Sequence, residues 1–284
     1  MVKNEKNLEY LQKLTGYLGF SDKLNSVLES AISRELPKFT LGISNIHRPL
    51  EIKDVNAPKT DYIQYELNFN RGKEDVYFLN TMAVTLHKTG ESVPRQQIFD
   101  LERDHRITAL QAYKLLSGTS FEKDIYVRPK GAGTDADRSE KIPAWFKLNL
   151  DITDANGNHP LKTIRPEYGF NLEETLAKYP FKGLERTEAL RNLRNGNYAE
   201  AFLKEGRKEL PVLLAANPQM KSIDVYDLQL REIRDEQIWP EKQAERNNAA
   251  QKTTVIKSEP EQGRDEATSL EQVETQGNDV SRGR

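Results

Sequence analysis

The sequence predicts an α+β fold: mostly antiparallel sheets packed with short helices. Three observations lead there. Strand-like segments alternate apolar and polar residues with period two and are separated by short turns. Helix-like segments are brief and open on capping signals. No long βαβ crossover and no Gly-rich phosphate loop calls for a parallel sheet.

Taken in order, Leu8, Leu11, Leu14 and Leu18 fall at helical spacing, and Gly16 and Gly19 weaken the end of that helix. Ser21 stands as the N-cap of a second helix with the apolar stripe Leu24, Val27, Leu28, Ala31, Ile32 and Leu36, closed by Pro37. The two stripes predict a helical hairpin over residues 8–36 that packs on the rest of the body; a partner-binding helix is the alternative. Residues 39–46 read as a strand. In the next strand, Ile63, Tyr65, Leu67 and Phe69 alternate with polar residues. After the turn at Arg71-Gly72-Lys73, a further strand places Phe78, Met82, Val84 and Leu86 on one face, with Asn80 interrupting it. Residues 96–101 add another strand.

Thr108-Ala109-Leu110-Gln111 is a capping box, opening a helix with Leu110, Tyr113 and Leu116 on its apolar face and Gly118 as its stop. Strand-like Ile125 to Val127 leads into a Gly-, Asp- and Lys-rich loop over 128–143. Ala144, Phe146, Leu148, Leu150 and Ile152 then alternate, and Asp154-Ala155-Asn156-Gly157 signals a hairpin turn. Asn171 starts a helix that ends near Tyr179-Pro180. Another, from Thr187 with Leu190 and Leu193 inward, stops at Gly196. Strands come next at 210–215 and 222–230, turned by Asn217-Pro218. The order helix, glycine, strands therefore occurs over 108–152 and again over 187–227, which suggests internal duplication. The alternative is that this order recurs by chance in α+β proteins.

Composition sets the limits. Of 284 residues, 36% are hydrophobic and 30% charged, with mean hydropathy -0.76. Much of the polarity lies at residues 241–284, which hold no aromatic residue and too few large apolar side chains to offset ordering entropy. The expectation is an α+β body over 1–240 and a disordered polar tail over 241–284. Removing the tail's nine acidic and seven basic residues from totals of 44 and 42 leaves 35 of each in the body. A neutral body argues against strong non-specific nucleic-acid binding, which needs excess Lys and Arg. The absence of cysteine excludes disulfides, thiol catalysis and thiolate-held metals. With no signal-type start and no apolar run of spanning length, a cytoplasmic protein is expected, without membrane contact.

Candidate chemistry is sparse. His47, His87, His105 and His159 show no ligand spacing and read as surface histidines. Asp100, Glu102 and Asp104, with Arg103, His105 and Arg106, form the densest ionisable cluster, which reads as a solvated loop before the Thr108 helix in preference to a cation site. Asp135 to Ser139 and Asp154 to Asn158 faintly suggest calcium loops, but neither has Gly sixth and Glu twelfth. Tyr62, Tyr65, Phe69, Arg71, Lys73, Tyr77 and Phe78 are the best aromatic–basic set for single-stranded nucleic acid; Glu66, Glu74 and Asp75 cancel its charge, and sheet core is the preferred reading.

Five phrases carry a resemblance: VYFLN (76–80), TALQAYKLLSG (108–118), YGFNLEETLAKYPFK (168–182), RNLRNGN (191–197) and NPQMKSIDVYD (217–227). Together they resemble an uncharacterised Bacteroidota protein family, a domain of unknown function often carried on conjugative or integrative mobile elements. The likeness covers about residues 8–227. It implies a bacterial accessory protein of mobile DNA and supplies no activity.

The expected function is accordingly a non-enzymatic binding or interaction module with an unknown protein partner, its tail serving in recruitment. The alternative is a nucleic-acid-associated protein acting in conjugative transfer or element maintenance. A third reading, a hydrolase assembled from scattered Asp, Glu and His, requires a deep pocket lined by carboxylates. The residues nominate no catalytic group, no cofactor and no metal ligands.

Overall fold

A computed structural model of the chain describes residues 4–48, 60–101, 106–127, 140–205 and 208–239. The tail expected from residue 241 lies outside the described residues, as do 102–105 of the acidic cluster and 128–139.

Helix α1 (Glu5–Thr15) begins at Asn4, whose side-chain oxygen accepts the Asn7 amide at 3.0 Å. It buries Leu11 and Leu14 and runs into a π-helical turn, Gly16–Phe20, where Gly19 takes φ 102° and delivers Leu18 and Phe20 to the core. Helix α2 (Asn25–Ser33) buries Leu28, Ala31 and Ile32. Ser21 does not cap it. Ser21 itself sits at φ 53°, and the Asn25 amide donates instead to the Asp22 carbonyl. Val27 and Leu36 are exposed, so the buried stripe is narrower than the sequence suggests.

The first sheet is an antiparallel meander in chain order: β1 (Lys38–His47), β2 (Asp61–Arg71), β3 (Tyr77–His87) and β4 (Arg95–Asp100). Ile63, Tyr65, Leu67 and Phe69 face inward as their alternation predicts. In β3 the inward set changes parity. Tyr77 and Leu79 are buried, then Met82, Val84 and Leu86, while Phe78 is exposed. The cause is a β-bulge: Asn68 pairs with Thr81 but Phe69 with Leu79, leaving Asn80 as the extra residue. Asn80 is the interruption visible in the sequence, and it flips the face of everything before it.

Helix α3 (Ala109–Ser117) has the full capping box, Thr108 accepting from the Gln111 amide and Gln111 from the Thr108 amide. Its buried face is Ala109, Ala112, Leu115 and Leu116; Leu110 is exposed and Tyr113 half-buried. The second sheet is the meander β5 (Phe121–Val127), β6 (Glu140–Leu148) and β7 (Leu161–Ile164). Residues 140–143 belong to β6, with Pro143 opposite Asp124, so the loop expected over 128–143 is shorter at its far end. Strand β6 ends at Leu148; Leu150 and Ile152 lie beyond it, in the connection that holds the expected turn, with Gly157 at φ 79°.

Helix α4 (Leu172–Ala177) is capped by Asn171, and α5 (Arg186–Arg194) by Glu185, two residues before the expected Thr187. The third sheet contains β8 (Phe181–Lys182), β9 (Ala199–Glu205), β10 (Lys208–Asn217) and β11 (Ser222–Tyr226), again antiparallel in chain order. The last described helix, α6 (Asp235–Ile238), ends a compact unit that closes at Ile238.

The recurrent unit is visible in the topology: α3 and α5 each lead through a glycine into three consecutive antiparallel strands. The helix ends match in detail. Gly118 and Gly196 have φ 97° and 71°, and each donates to the carbonyl three residues back. The next amides along the chain, Thr119 and Asn197, each reach the carbonyl five residues back, on Lys114 and Asn192. Both ends are therefore Schellman motifs.

One hydrophobic cluster runs from α1 and α2 through the first sheet and α3 into the second sheet. The third sheet joins it through polar links. The Ser120 hydroxyl donates to the Ala216 carbonyl at 2.6 Å, the Lys114 ammonium to the Asn195 carbonyl at 2.5 Å, and Arg194 pairs with Glu122 at 3.3 Å. Lys147 lies at the same junction, 3.9 Å from Asp224 and largely buried. Burial pushes its pKa down, with Asp224 and Asp151 opposing. Between the lowered folded value and the ordinary lysine value, the unfolded chain binds more protons, so this residue makes stability rise with pH. Lys147→Met is expected to flatten that alkaline rise, as urea unfolding at neutral pH and at a pH near the ordinary lysine value will show. Asp224→Ala should cost about 1–3 kcal/mol, because Asp224 also accepts the Asn217 amide at 2.9 Å.

Candidate functional site

The outward face of α3 forms one wall of a cleft of about 150 Å³. Leu110, Tyr113, Lys114 and Ser117 recur at helical spacing along that wall. His47 and Arg48 at the end of β1, Asp61 at the start of β2 and Lys88 after β3 make the floor. Gly196, Asn197 and Tyr198, just beyond α5, close the other side with Leu230.

The His47 ring stacks on Tyr113 at 4.3 Å between centroids, 15° from parallel. The Tyr113 hydroxyl donates to Asp61 at 2.9 Å, and the other Asp61 oxygen accepts the Thr89 amide at 2.9 Å. Asp61 is buried, so its carboxylate is turned inward onto these donors. Burial lowers the His47 pKa against the pull of Asp61, which favours a neutral imidazole in the stack at pH 7. The Lys88 ammonium donates to the Ser117 carbonyl at 3.4 Å, at the end of α3, while Lys114 holds the end of α5. Among the described residues, the charged side chains that line the cleft are Arg48, Lys88, Lys114 and Asp61. The Ser117 hydroxyl oxygen is buried and makes no hydrogen bond to another described residue.

None of this is legible as a motif. The cleft residues come from six separate segments, and the local signal is the helical spacing of Leu110, Tyr113, Lys114 and Ser117, for which periodicity predicts Leu110 and Tyr113 facing inward. The structure turns both outward. The histidine expectation also needs correction. His159 is buried, its Nδ1 2.9 Å from the Ile152 carbonyl, and His47 is half-buried in the cleft. His87 is exposed as expected, and His105 lies outside the described residues. The nucleic-acid set is not gathered on a surface: Tyr65, Phe69 and Tyr77 are core, and Arg71 is held by Glu35 and Asp75. Asp154 is a turn residue that accepts the Asn156 and Asn158 amides. Among the described residues, no three His, Asp or Glu side chains gather around a common point where an ion would sit.

A second recess, of about 450 Å³, lies beside Trp145 and Phe170, whose rings meet edge-on at 5.4 Å. Its carboxylate Glu122 has a pKa raised by burial, and Arg194 opposes the rise.

The outer face of the first sheet is a different kind of surface. One cross-strand row is Ser44, Gln64, Thr85 and Gln96; the next is Gly42, Glu66, Ala83 and Ile98. In a chain that is 30% charged, this face carries Lys38, Glu66 and Asp100 as its formal charges. Its amides and hydroxyls bond one another across the strands: Thr40 to Asn68 at 2.8 Å, Asn68 to Thr81 at 3.1 Å and Asn70 to Asn80 at 2.9 Å. Ile46, Tyr62, Phe78 and Ile98 stand exposed among them. The β4 edge is closed by the Asn158 side chain, which accepts the Ile98 amide at 2.7 Å.

No protein-family model, curated protein or solved structure matches this chain. No helix among the described residues is long and apolar enough to cross a membrane.

Proposed function

We propose that the chain is a non-enzymatic interaction module that docks a flat, charge-poor protein surface on the outer face of its first sheet. The observation that carries this reading is the depletion of charge on that face, the compositional mark of an interface core. The lateral hydrogen bonds strengthen it. Polar groups already satisfied within the face lose little when water is removed. Three strands of ten or eleven residues and one of six give a face of roughly 600 Å², close to the ~800 Å² that each partner contributes to a standard interface. Asn, Gln, Ser, Thr and Tyr both donate and accept, so the face is complementary to itself and a second copy of the chain is the occupant we assign. The sequence resemblance extends the proposal to an accessory role in bacterial mobile DNA.

Sedimentation velocity over a range of concentrations tests it. A dimer is expected, and Ala83→Arg, which plants a charge in the middle of the face, should weaken association about tenfold or more while leaving the unfolding temperature unchanged at concentrations where both chains are monomeric. A chain that stays monomeric at every concentration, or a dimer indifferent to Ala83→Arg and Thr85→Lys, overturns the assignment.

A further inference from the structure

We infer that the open edge of β1 is a docking site for an extended segment of another protein, which adds to the first sheet as one more antiparallel strand. Strand β1 is an outer strand of its sheet, ten residues long and paired with β2 on one side. The Arg71 amide donates to the Pro37 carbonyl at 2.9 Å, which fixes a hydrogen-bonded rung at that end. Such rungs alternate along an antiparallel pair, and the register of β1 with β2 runs from Lys38 to His47 without a shift. Phe39, Leu41, Ile43, Asn45 and His47 therefore turn their backbone groups to β2. Lys38, Thr40, Gly42, Ser44 and Ile46 turn theirs away from it, and among the described residues nothing bonds to those groups.

Two other sheet edges are closed by the chain itself. Asn158 accepts the Ile98 amide on the β4 edge. On the β11 edge Glu232 bridges to Tyr226, and the Ile233 amide donates to the Val225 carbonyl at 2.7 Å. Strand β1 has none of the devices that blunt an edge: from Phe39 to Ile46 it holds no charged residue and no proline, and its register has no bulge. A row of amides and carbonyls at strand spacing is matched by another extended backbone. These groups point along the plane of the sheet, whereas the copy assigned to the outer face packs on side chains, so the two sites are separate. The side chains define the segment further. Along the inner side of β1, Phe39 and Leu41 are buried but Ile43, Asn45 and His47 only half-buried. Apolar residues on that side of an added strand complete the cover over Ile43, and uncharged polar residues on the other side continue Thr40 and Ser44. A large residue fits beside Gly42, where a Cβ would meet nothing within 4 Å.

The probe is a blocked, fluorescently labelled peptide of four Thr-Val repeats between two lysines, titrated into the full chain by anisotropy. It is expected to bind with a Kd of about 10 μM to 1 mM. In antiparallel addition the peptide residues that bond to β1 carry their side chains on the outer, polar face, and these are the threonines. N-methylation of the threonines should therefore weaken binding about tenfold or more, and N-methylation of the valines should leave it unchanged. Gly42→Pro removes the central outward donor at a position where an edge strand tolerates proline. It should weaken the peptide about tenfold and leave both thermal unfolding and self-association unchanged. Ala83→Arg should leave peptide binding unchanged, so failure of the outer face and failure of this edge are read separately. Amide hydrogen exchange supplies the second measurement. In the free chain Thr40, Gly42, Ser44 and Ile46 should exchange fast and Leu41, Ile43 and Asn45 slowly, and the peptide should protect the first set. Equal binding of the three peptides, or no binding at millimolar concentration, would overturn the proposal. Protection of the first set in the free chain would also overturn it, in favour of a second copy where protection rises with concentration and of the chain's own residues where it does not.

Discussion

Gly196→Ala is expected to destabilise the chain by roughly 2–5 kcal/mol, against about 1–2 kcal/mol for Gly118→Ala. The two glycines occupy the same place in the recurrent unit and make the same backbone hydrogen bonds, so both substitutions carry the cost of a left-handed residue. They differ in what surrounds them. A Cβ on Gly118 would meet Leu150 and Arg95 side-chain atoms at 3.7 and 3.9 Å, which is ordinary contact. On Gly196 it would lie 2.9 Å from the Ser120 carbonyl oxygen and 3.1 Å from the Phe121 Cβ. Backbone cannot swing aside as a side-chain tip can. This is also where the third sheet joins the rest, because the Ser120 hydroxyl is tied to the Ala216 carbonyl. Urea unfolding of the two variants beside the parent chain measures the difference. Equal losses would show that the close approach at Gly196 relaxes without cost.

The elements that are legible in the sequence are those whose signal is local. The Thr108 capping box, the glycine stops at Gly118 and Gly196, and the clean alternation of β2 each depend on residues within one turn or one strand. Errors arise where a partner sets the phase. Phe78 looks inward by simple counting, and only the pairing of β3 with β2 reveals that Asn80 is an extra residue. In α3 the apolar residues surround too much of the helix for periodicity to choose a face; the first and second sheets select Ala109, Ala112, Leu115 and Leu116. That same choice turns Leu110 and Tyr113 outward and creates the cleft, so an error of phase in one helix conceals the candidate site. Strand β9 escapes notice because its inward residues, Ala199, Ala201 and Leu203, include two too small to give an apolar signal. Asp61, a buried carboxylate with no motif around it, is identified only by the Tyr113 and Thr89 groups that the fold brings to it.

Phe146→Ala should cost about 3–5 kcal/mol, the range for truncating a buried phenylalanine. Phe146 is fully buried in β6, the central strand of the second sheet, and pairs in register with Phe121 on β5. Their rings lie 5.5 Å apart at 13°, so truncation removes an aromatic contact as well as leaving a cavity. Phe202→Ala is the matched comparison. Phe202 also lies in a strand, but it is exposed and covers the backbone at Gly183, so its removal should cost under about 1 kcal/mol. A double-mutant cycle with Phe121→Ala should return a coupling of about 0.5–1.5 kcal/mol between the two rings. The form of the transition carries further information. Because the apolar cluster is continuous from α1 to β6, loss of Phe146 should lower one cooperative transition without splitting it. A biphasic melt would mean that the second sheet unfolds on its own and that α3, which belongs to the cluster joining the two sheets, does not couple them.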